Sequence, residues 1–422
     1  MRVAIIGTGI AGNVAAYKLR DQHEITVYEA ATYAGGHTNT LDVYESGKKL
    51  AIDTGFIVFN DRTYPNFIQL LEEIGQESQP SEMSFSVRSD RLEYNGRSLD
   101  ALFAQRRNLI SPPFYRMVRD ILKFNLEATR TTEAAEDDRP LRDYLAENNY
   151  GQEFVDQYLV PMAAAIWSAE PSRVLDMPAG FLVRFFTNHG LLQLRDRPQW
   201  RVISGGSREY VRKLIAGHRD RIRLNTPVRS VGRVPDGVEV HASGTGPEIF
   251  DAVIFACHSD QALSMLRRPT AAEEETLGAI RYQANEAILH TDERVMPKRV
   301  KAWGAWNYHI PADPDRHVAV TYNMNILQGL QAQNQYCVTL NNDAEIRTDR
   351  IIKRLRYEHP MYTREAVAAQ ARQKEINQDR FFFCGAYWRN GFHEDGVVSA
   401  LNAVEHFEEW QQNAELHLRR AS

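Results

Sequence analysis

The residues best placed to do chemistry stand at the start of the chain. Gly7-Thr8-Gly9-Ile10-Ala11-Gly12 follows the apolar run Val3-Ala4-Ile5-Ile6 and precedes a helix-forming stretch that reaches Arg20. In a strand, turn and helix of this kind each glycine has a task. Gly7 permits the tight turn, Gly9 lets the backbone approach a pyrophosphate, and Gly12 allows the helix to pack closely on the strand. The helix start, around Ala11, presents free N–H groups and a positive dipole end to phosphate. Glu29 and Ala30 close a second expected strand, Glu24 to Tyr28, about 20 residues further on, where a carboxylate accepts hydrogen bonds from a ribose diol. The plainer alternative leaves the glycines as turn residues and Glu29 as a solvated strand end. A carboxylate at Glu29 would repel a 2′-phosphate, which disfavours NADP.

The elements that must position these residues form a right-handed βαβ unit opening a parallel sheet. With 422 residues the chain exceeds the usual size of one core, so two domains are expected. From about Tyr64 to Gln199 helical spacing dominates, as in Phe67-Ile68-Leu70-Leu71-Ile74 and in Phe114 to Leu126 after Pro112-Pro113. Thr131 to Arg139 reads as a polar loop. Strand-like runs return at Arg221 to Leu224, Gly237 to Val240 and Ala252 to Phe255. Residues 271–372 mix strands, such as His317 to Tyr322, with loops and a helical stretch, and Phe381-Phe382-Phe383 precedes another glycine turn and helix. The order predicts a discontinuous cofactor domain from 1–63, 200–265 and 373–422, with a substrate domain built from 64–199 and 266–372.

The formal charge of −5 and pI near 6.3 give no global basic field, so nucleic acid is not an expected partner. Cys257, Cys337 and Cys384 are far apart and have neither disulfide-framework nor zinc spacing, so no metal site is read and a reducing cytoplasm is the expected compartment. No run approaches the roughly 20 apolar residues of a membrane span.

Later segments carry a family resemblance. Gly35-Gly36-His37-Thr38-Asn39-Thr40 resembles the GG-R-x-x-T element of the flavin amine oxidase and phytoene desaturase superfamily, and Asp53-Thr54-Gly55-Phe56 resembles its next flavin-contacting turn. Leu224 to Val228 is similar to the strand whose backbone, at Val228, contacts adenine, and Ala252 to Cys257 is similar to the strand that follows. Phe381 to Gly385 and Gly391 to Ala400 resemble the closing strand, loop and helix. The resemblance implies an α/β fold with a Rossmann-type, glutathione-reductase-like FAD-binding domain interleaved with an α+β substrate domain. It implies FAD contacts at Gly7, Gly9, Ala11, Gly12, Glu29, Ala30, Gly35, Gly36, His37, Thr38, Thr54, Gly55, Phe56, Val228, Gly385, Gly396 and Val397. In the family the helix near Gly396 and Val397 directs its N-terminus at the flavin pyrimidine edge.

The pattern also departs from its relatives. His37 replaces the usual arginine, so a fixed charge becomes titratable or a neutral hydrogen bond. Ala386 stands where many relatives have an acidic residue, and Asp395 where they have glycine. Phe392 occupies the place of the amine oxidases' tyrosine over the flavin. The Gly-Gly-Cys-Tyr element that attaches flavin covalently in monoamine oxidases is absent, so noncovalent FAD is expected, and Cys384 reads as a small buried strand residue.

Hydride acceptance belongs to the flavin, so the protein need only position a C–H bond and manage protons. Phe392, Trp388 and Tyr387 are candidates for the flavin face. Trp167, Trp303, Trp306 and Tyr308 are either substrate-domain surface or packing. His290, Asp292, His309 and His393 are candidate acid–base or structural groups. Arg106, Arg107, Arg116, Arg119 and Lys123 interleave with Leu109, Ile110, Phe114, Tyr115, Val118, Ile121 and Leu122, which reads either as a face for an anionic membrane or as a solvated face over a core helix. The expected activity is hydride transfer from a small, lipid-like or fatty-acyl substrate by a desaturase, dehydrogenase or isomerase. An amine oxidase releasing peroxide and a non-catalytic flavin-binding accessory protein are the alternatives.

Overall fold

The computed structural model describes residues 1–130, 137–193, 196–310 and 319–421. The opening run forms the strand Arg2–Ile6, with Val3, Ala4 and Ile5 fully buried. It lies at the centre of a five-stranded parallel sheet in the order Ile222–Arg223, Glu24–Tyr28, Arg2–Ile6, Ala252–Phe255 and Phe381–Phe383. Both faces are covered, which is why these strands read as continuous apolar runs rather than alternating ones. Val14, Leu19, Phe67, Leu214 and Phe407 cover one face, and Val253, Phe255, Leu277 and Ala366 belong to the core on the other.

The opening helix, Ile10–Leu19, packs along the closing helix, His393–Ala421. Their contact is close because Gly396 carries no side chain: a Cβ there would stand 2.5 Å from Ile10 Cγ2.

A second, seven-stranded sheet has the order Ile351–Pro360, Tyr282–His290, Cys337–Leu340, Ala319–Asn323, Trp306–His309, Phe85–Arg88 and Glu93–Asn95. Side chains alternate across it. Ala287, Leu289, Val338, Leu340, Val320, Tyr322 and Tyr308 enter the largest core, together with helices such as Pro112–Arg130 and Ala179–Asn188. Thr339, Thr321 and Asn307 occupy alternate positions and are buried in hydrogen bonds, Thr339 to both His290 and Thr321.

The expected strands occur with small shifts. The strand read at Arg221 to Leu224 is only Ile222–Arg223, because Asn225 turns the chain at φ 52°. The strand read from His317 is described over Ala319–Asn323, and His317 and Val318 lie outside the described residues, as do residues 131–136 of the expected polar loop. Three helices assigned by sequence to the insertions, Pro65–Glu73, Ala271–Gly278 and Arg364–Gln370, send apolar residues into the two cores flanking the parallel sheet. Boundaries near 64, 266 and 372 therefore cut through packed structure. Among the described residues no helix is long and apolar enough to cross a membrane.

The first of these helices is tied to the closing helix by Glu394. Its carboxylate accepts from Asn66 N at 3.1 Å, Asn66 Nδ2 at 2.6 Å and Phe67 N at 2.9 Å, satisfying amides that have no partner within their own helix. Glu394→Ala is expected to lower the unfolding free energy by about 1–2 kcal/mol, measured by urea denaturation.

Candidate cofactor and substrate site

The strand-to-helix turn is built by contact between backbones. Gly7 has φ +104°, and a Cβ on Gly12 would lie 2.0 Å from the Gly7 carbonyl oxygen, so position 12 accepts no side chain. Gly36, at φ +58°, sits over the turn with its Cβ position 3.0 Å from Gly9 Cα. Gly9 itself faces open space. Glu29 is held beside the turn: its carboxylate accepts from Thr8 N at 2.9 Å and Ala31 N at 2.8 Å, and from the Thr8 hydroxyl.

These groups form one end of a cavity of about 600 Å³. Gly7, Gly9, Ala11, Glu29, Ala30, Gly35 and Gly36 line it, with Val228 nearby. His37, Thr54, Gly55 and Phe56 line its middle, and Gly385, Phe392 and His393 are contributed by the closing segment. Four other positions predicted from sequence do not line it. Gly12 and Gly396 are packing glycines, Val397 is buried in the core, and Thr38 bonds Tyr210 Oη at 2.6 Å and His393 Nε2 at 3.0 Å. Trp388 is also displaced from its expected place, being buried with Tyr387 in the core on one side of the parallel sheet.

His37 is the group most altered from the expected pattern. Its ring stacks on Tyr357 at 5.0 Å and lies 5.5 Å from His359 and 6.3 Å from His258, with its Nε2 atom buried. Burial, followed by the neighbouring imidazoles, holds its pKa well below the usual value, and its Nε2 has no hydrogen-bond partner. A neutral imidazole thus stands where a guanidinium was expected. Among the described residues no lysine or arginine lines the cavity, so phosphate charge would fall to the helix-start amides and to this imidazole cluster.

His393 stacks on Phe56 at 3.4 Å, bonds Thr38 and Tyr210, and is pushed down to about 3 by burial. That locked, neutral ring is a poor acid–base group. His290 is buried against Thr339, Asp292 pairs with Arg294, and His309 lies beside Arg88 and Glu345; none lines the cavity. Trp303 donates to Pro297 O and Tyr308 is buried in the large core, so of the four insertion aromatics Trp167 and Trp306 reach the cavity.

The departures at Ala386 and Asp395 have a structural account. Asp395 folds back on the preceding loop, accepting from Phe392 N at 2.9 Å and Asn390 N at 3.2 Å, while Ala386 O accepts from Gly391 N. Burial lifts the Asp395 carboxyl to about 7. Asp53 joins distant pieces by accepting from Thr40 Oγ1, Ser207 N and Gln328 Nε2, and burial lifts it to about 6.

Sequence reasoning missed the wall supplied by the second sheet: Tyr322, Leu340, Tyr357, His359 and Tyr362, with His258 and Tyr282 beside them. Tyr357 and His359 alternate on one face of the strand Ile351–Pro360, a spacing visible in Arg354-Leu355-Arg356-Tyr357-Glu358-His359. The cavity they would face was not.

Comparison with known proteins agrees with this architecture. Residues 10–325 match the model of the flavin-containing amine oxidoreductase family, and the chain belongs to that family. A stretch of 78 residues is 40% identical to the zeta-carotene desaturase of Solanum lycopersicum, covering 18% of this chain and 13% of that protein. The fold resembles that of a candidate protoporphyrinogen oxidase from Exiguobacterium sp. 255-15, with TM-score 0.70 and 17% identity over 96% of this chain and 98% of that one. It also resembles a fatty acid isomerase producing CLA from P. acnes, with TM-score 0.68 and 14% identity over 96% and 98% of the two chains.

The buried imidazoles set a pH dependence. His37 lies well below its usual value, His189 and His359 at about 4 and His393 at about 3, so each stays neutral in the fold and gains a proton on unfolding below about pH 6.5. Stability is therefore lost as pH falls. Asp53 and Asp395 act oppositely, because the folded state protonates first. Because His218 and His290 are likewise lowered to about 4, the imidazoles outnumber the two carboxyl groups, and the unfolding free energy is expected to fall between about pH 6.5 and pH 4, with a smaller fall in His359→Asn, measured by urea denaturation across that range.

Proposed function

We propose that the chain binds FAD noncovalently and uses it to desaturate, dehydrogenate or isomerise an uncharged, apolar, lipid-like substrate. The observation that carries this reading is the composition of the cavity wall. Glu29 is engaged by the turn, and Glu358 lies 3.7 Å from His258; among the described residues they are the acidic ones lining the cavity. The remaining wall, with Ile166, Trp167, Trp306, Tyr322, Leu340, Tyr362 and Phe392, offers no carboxylate to an amine cation. It is apolar and aromatic, and suited to a hydrocarbon chain or ring.

When bound, the flavin supplies hydride acceptance. The protein's share is binding, orientation and exclusion of water. Glu29 would hold the ribose, the amides at Gly9 and Ala11 would hold the pyrophosphate, and His37 Nε2 is a buried polar atom without a partner that could serve the cofactor. Trp306 Nε1 and Tyr362 Oη are buried without partners, and Trp306 and Tyr362 both belong to the cavity wall, so they can donate to a polar end of an otherwise apolar molecule. Noncovalent attachment is supported by the cysteines. Cys337 and Cys384 are fully buried, and Cys257 lies beside Gly7 at the phosphate end, with burial pushing its thiol up to about 12.

A second reading, an amine oxidase, is favoured by the edge-to-face pair Trp306 and Tyr322 at 5.0 Å, since aromatic faces attract cations. One experiment separates the two. Under anaerobic conditions unsaturated acyl lipids are expected to bleach the visible flavin band and primary amines to leave it unchanged; bleaching by amines alone reverses the assignment.

Two further outcomes follow. Acid precipitation is expected to leave the flavin in the supernatant rather than on the protein. Glu29→Ala is expected to weaken FAD binding by about 10- to 100-fold, the worth of a charged hydrogen bond, measured by quenching of flavin fluorescence.

A further inference from the structure

One feature of the sequence is not absorbed by the cavity: the basic, apolar segment leading into the helix Pro112–Arg130. Among the described residues fourteen large apolar side chains are exposed, and seven of them gather here. Leu109 and Ile110 precede the helix, and Tyr115, Leu122 and Leu126 lie on it. Leu99 and Val300 come from two short segments packed against each other. The hydrogen bond from Tyr115 Oη to Leu109 O and the pairing of Arg106 with Asp100 join the pieces into one surface. Ile110 is 85% exposed, Leu99 76% and Val300 70%, so they project rather than line a groove.

The helix divides cleanly into two faces. Phe114, Met117 and Phe124 are buried in the large core. Tyr115, Arg119 and Leu122, spaced four and three residues apart, fall on the opposite side. Charge is as uneven as polarity. Residues 97–126 and 298–301 hold nine basic side chains and two acidic ones, Asp100 and Asp120, in a chain whose formal charge is −5. Glu82, Glu93 and Glu153 pair with Arg97, Arg299 and Arg116, and a net positive charge still remains. Arg107 bonds only a backbone carbonyl, that of Arg91.

We infer that this surface docks the protein on an anionic lipid bilayer, with Leu99, Ile110 and Val300 entering the headgroup boundary and the surrounding arginines and lysines meeting lipid phosphates. Protruding apolar side chains ringed by cations match an interface whose surface is negative and whose interior is apolar. The inference does not depend on the substrate proposed above, because it rests on residues outside the cavity.

The test is flotation of the flavin-loaded protein with vesicles of phosphatidylcholine alone and of phosphatidylcholine mixed with phosphatidylserine. Binding is expected to the mixed vesicles and to weaken at high salt, as screening shortens from about 10 Å at 0.1 M to about 3 Å at 1 M. Ile110→Glu is expected to reduce the bound fraction about tenfold or more. Arg107→Glu is expected to reduce it while leaving the flavin spectrum and thermal melting unchanged. Absence of binding, equal binding to neutral vesicles, or self-association through this surface that Ile110→Glu abolishes without any lipid effect would each overturn the inference.

Discussion

The structure depends on a steric constraint at the end of its first strand: chain segments must approach one another closely at positions where only glycine leaves room. Gly12 touches the Gly7 carbonyl, Gly36 lies over Gly9, and Gly396 lies on Ile10. A Cβ at position 12 would overlap backbone, which cannot move aside without breaking the turn. These contacts bring the start of the chain, the segment after the second strand and the closing helix to one place. They leave Gly9 facing open space, into which the helix-start amides point.

Around that constraint the cavity is kept free of cationic side chains. Among the described residues no lysine or arginine lines it, and the imidazoles of His37, His359 and His393 are kept uncharged by burial. A preorganised, low-dielectric chamber of this kind strengthens whatever fixed dipoles it contains, and also makes any unpaired charge costly. The same physics bears on substrate class. A wall of Trp167, Trp306, Tyr322, Leu340 and Phe392 accepts an apolar molecule readily, whereas an ammonium ion against this part of the wall would be desolvated against aromatic faces. The family supplies the flavin chemistry, and the wall bears on what is presented to it.

Much of the cofactor half is legible in sequence because its signals are local. Gly7 to Gly12 between a strand and a helix, and Glu29 at the next strand end, state a mechanism within thirty residues. The second half is not local. Tyr322, Leu340 and Tyr357 lie on strands whose order is set by long-range pairing, such as Tyr282↔Pro360 and Val320↔Leu340, and periodicity says which residues share a face but not what that face meets. His393 shows the same limit. Its position beside Phe392 suggested the flavin face, but its orientation is fixed by Thr38, Tyr210 and Phe56, three residues scattered along the chain. Trp388 went astray in the same manner, its side chain following the core rather than the loop that carries it.

The central claim is that the opening turn, the Gly35–Gly36 segment and the closing segment hold one dinucleotide between them. Amide hydrogen exchange with and without added FAD tests it most directly. Simultaneous slowing in peptides covering residues 7–12, 35–38, 54–57 and 385–397 is the predicted result. Slowing confined to the opening turn, or no change at saturating FAD, would contradict it.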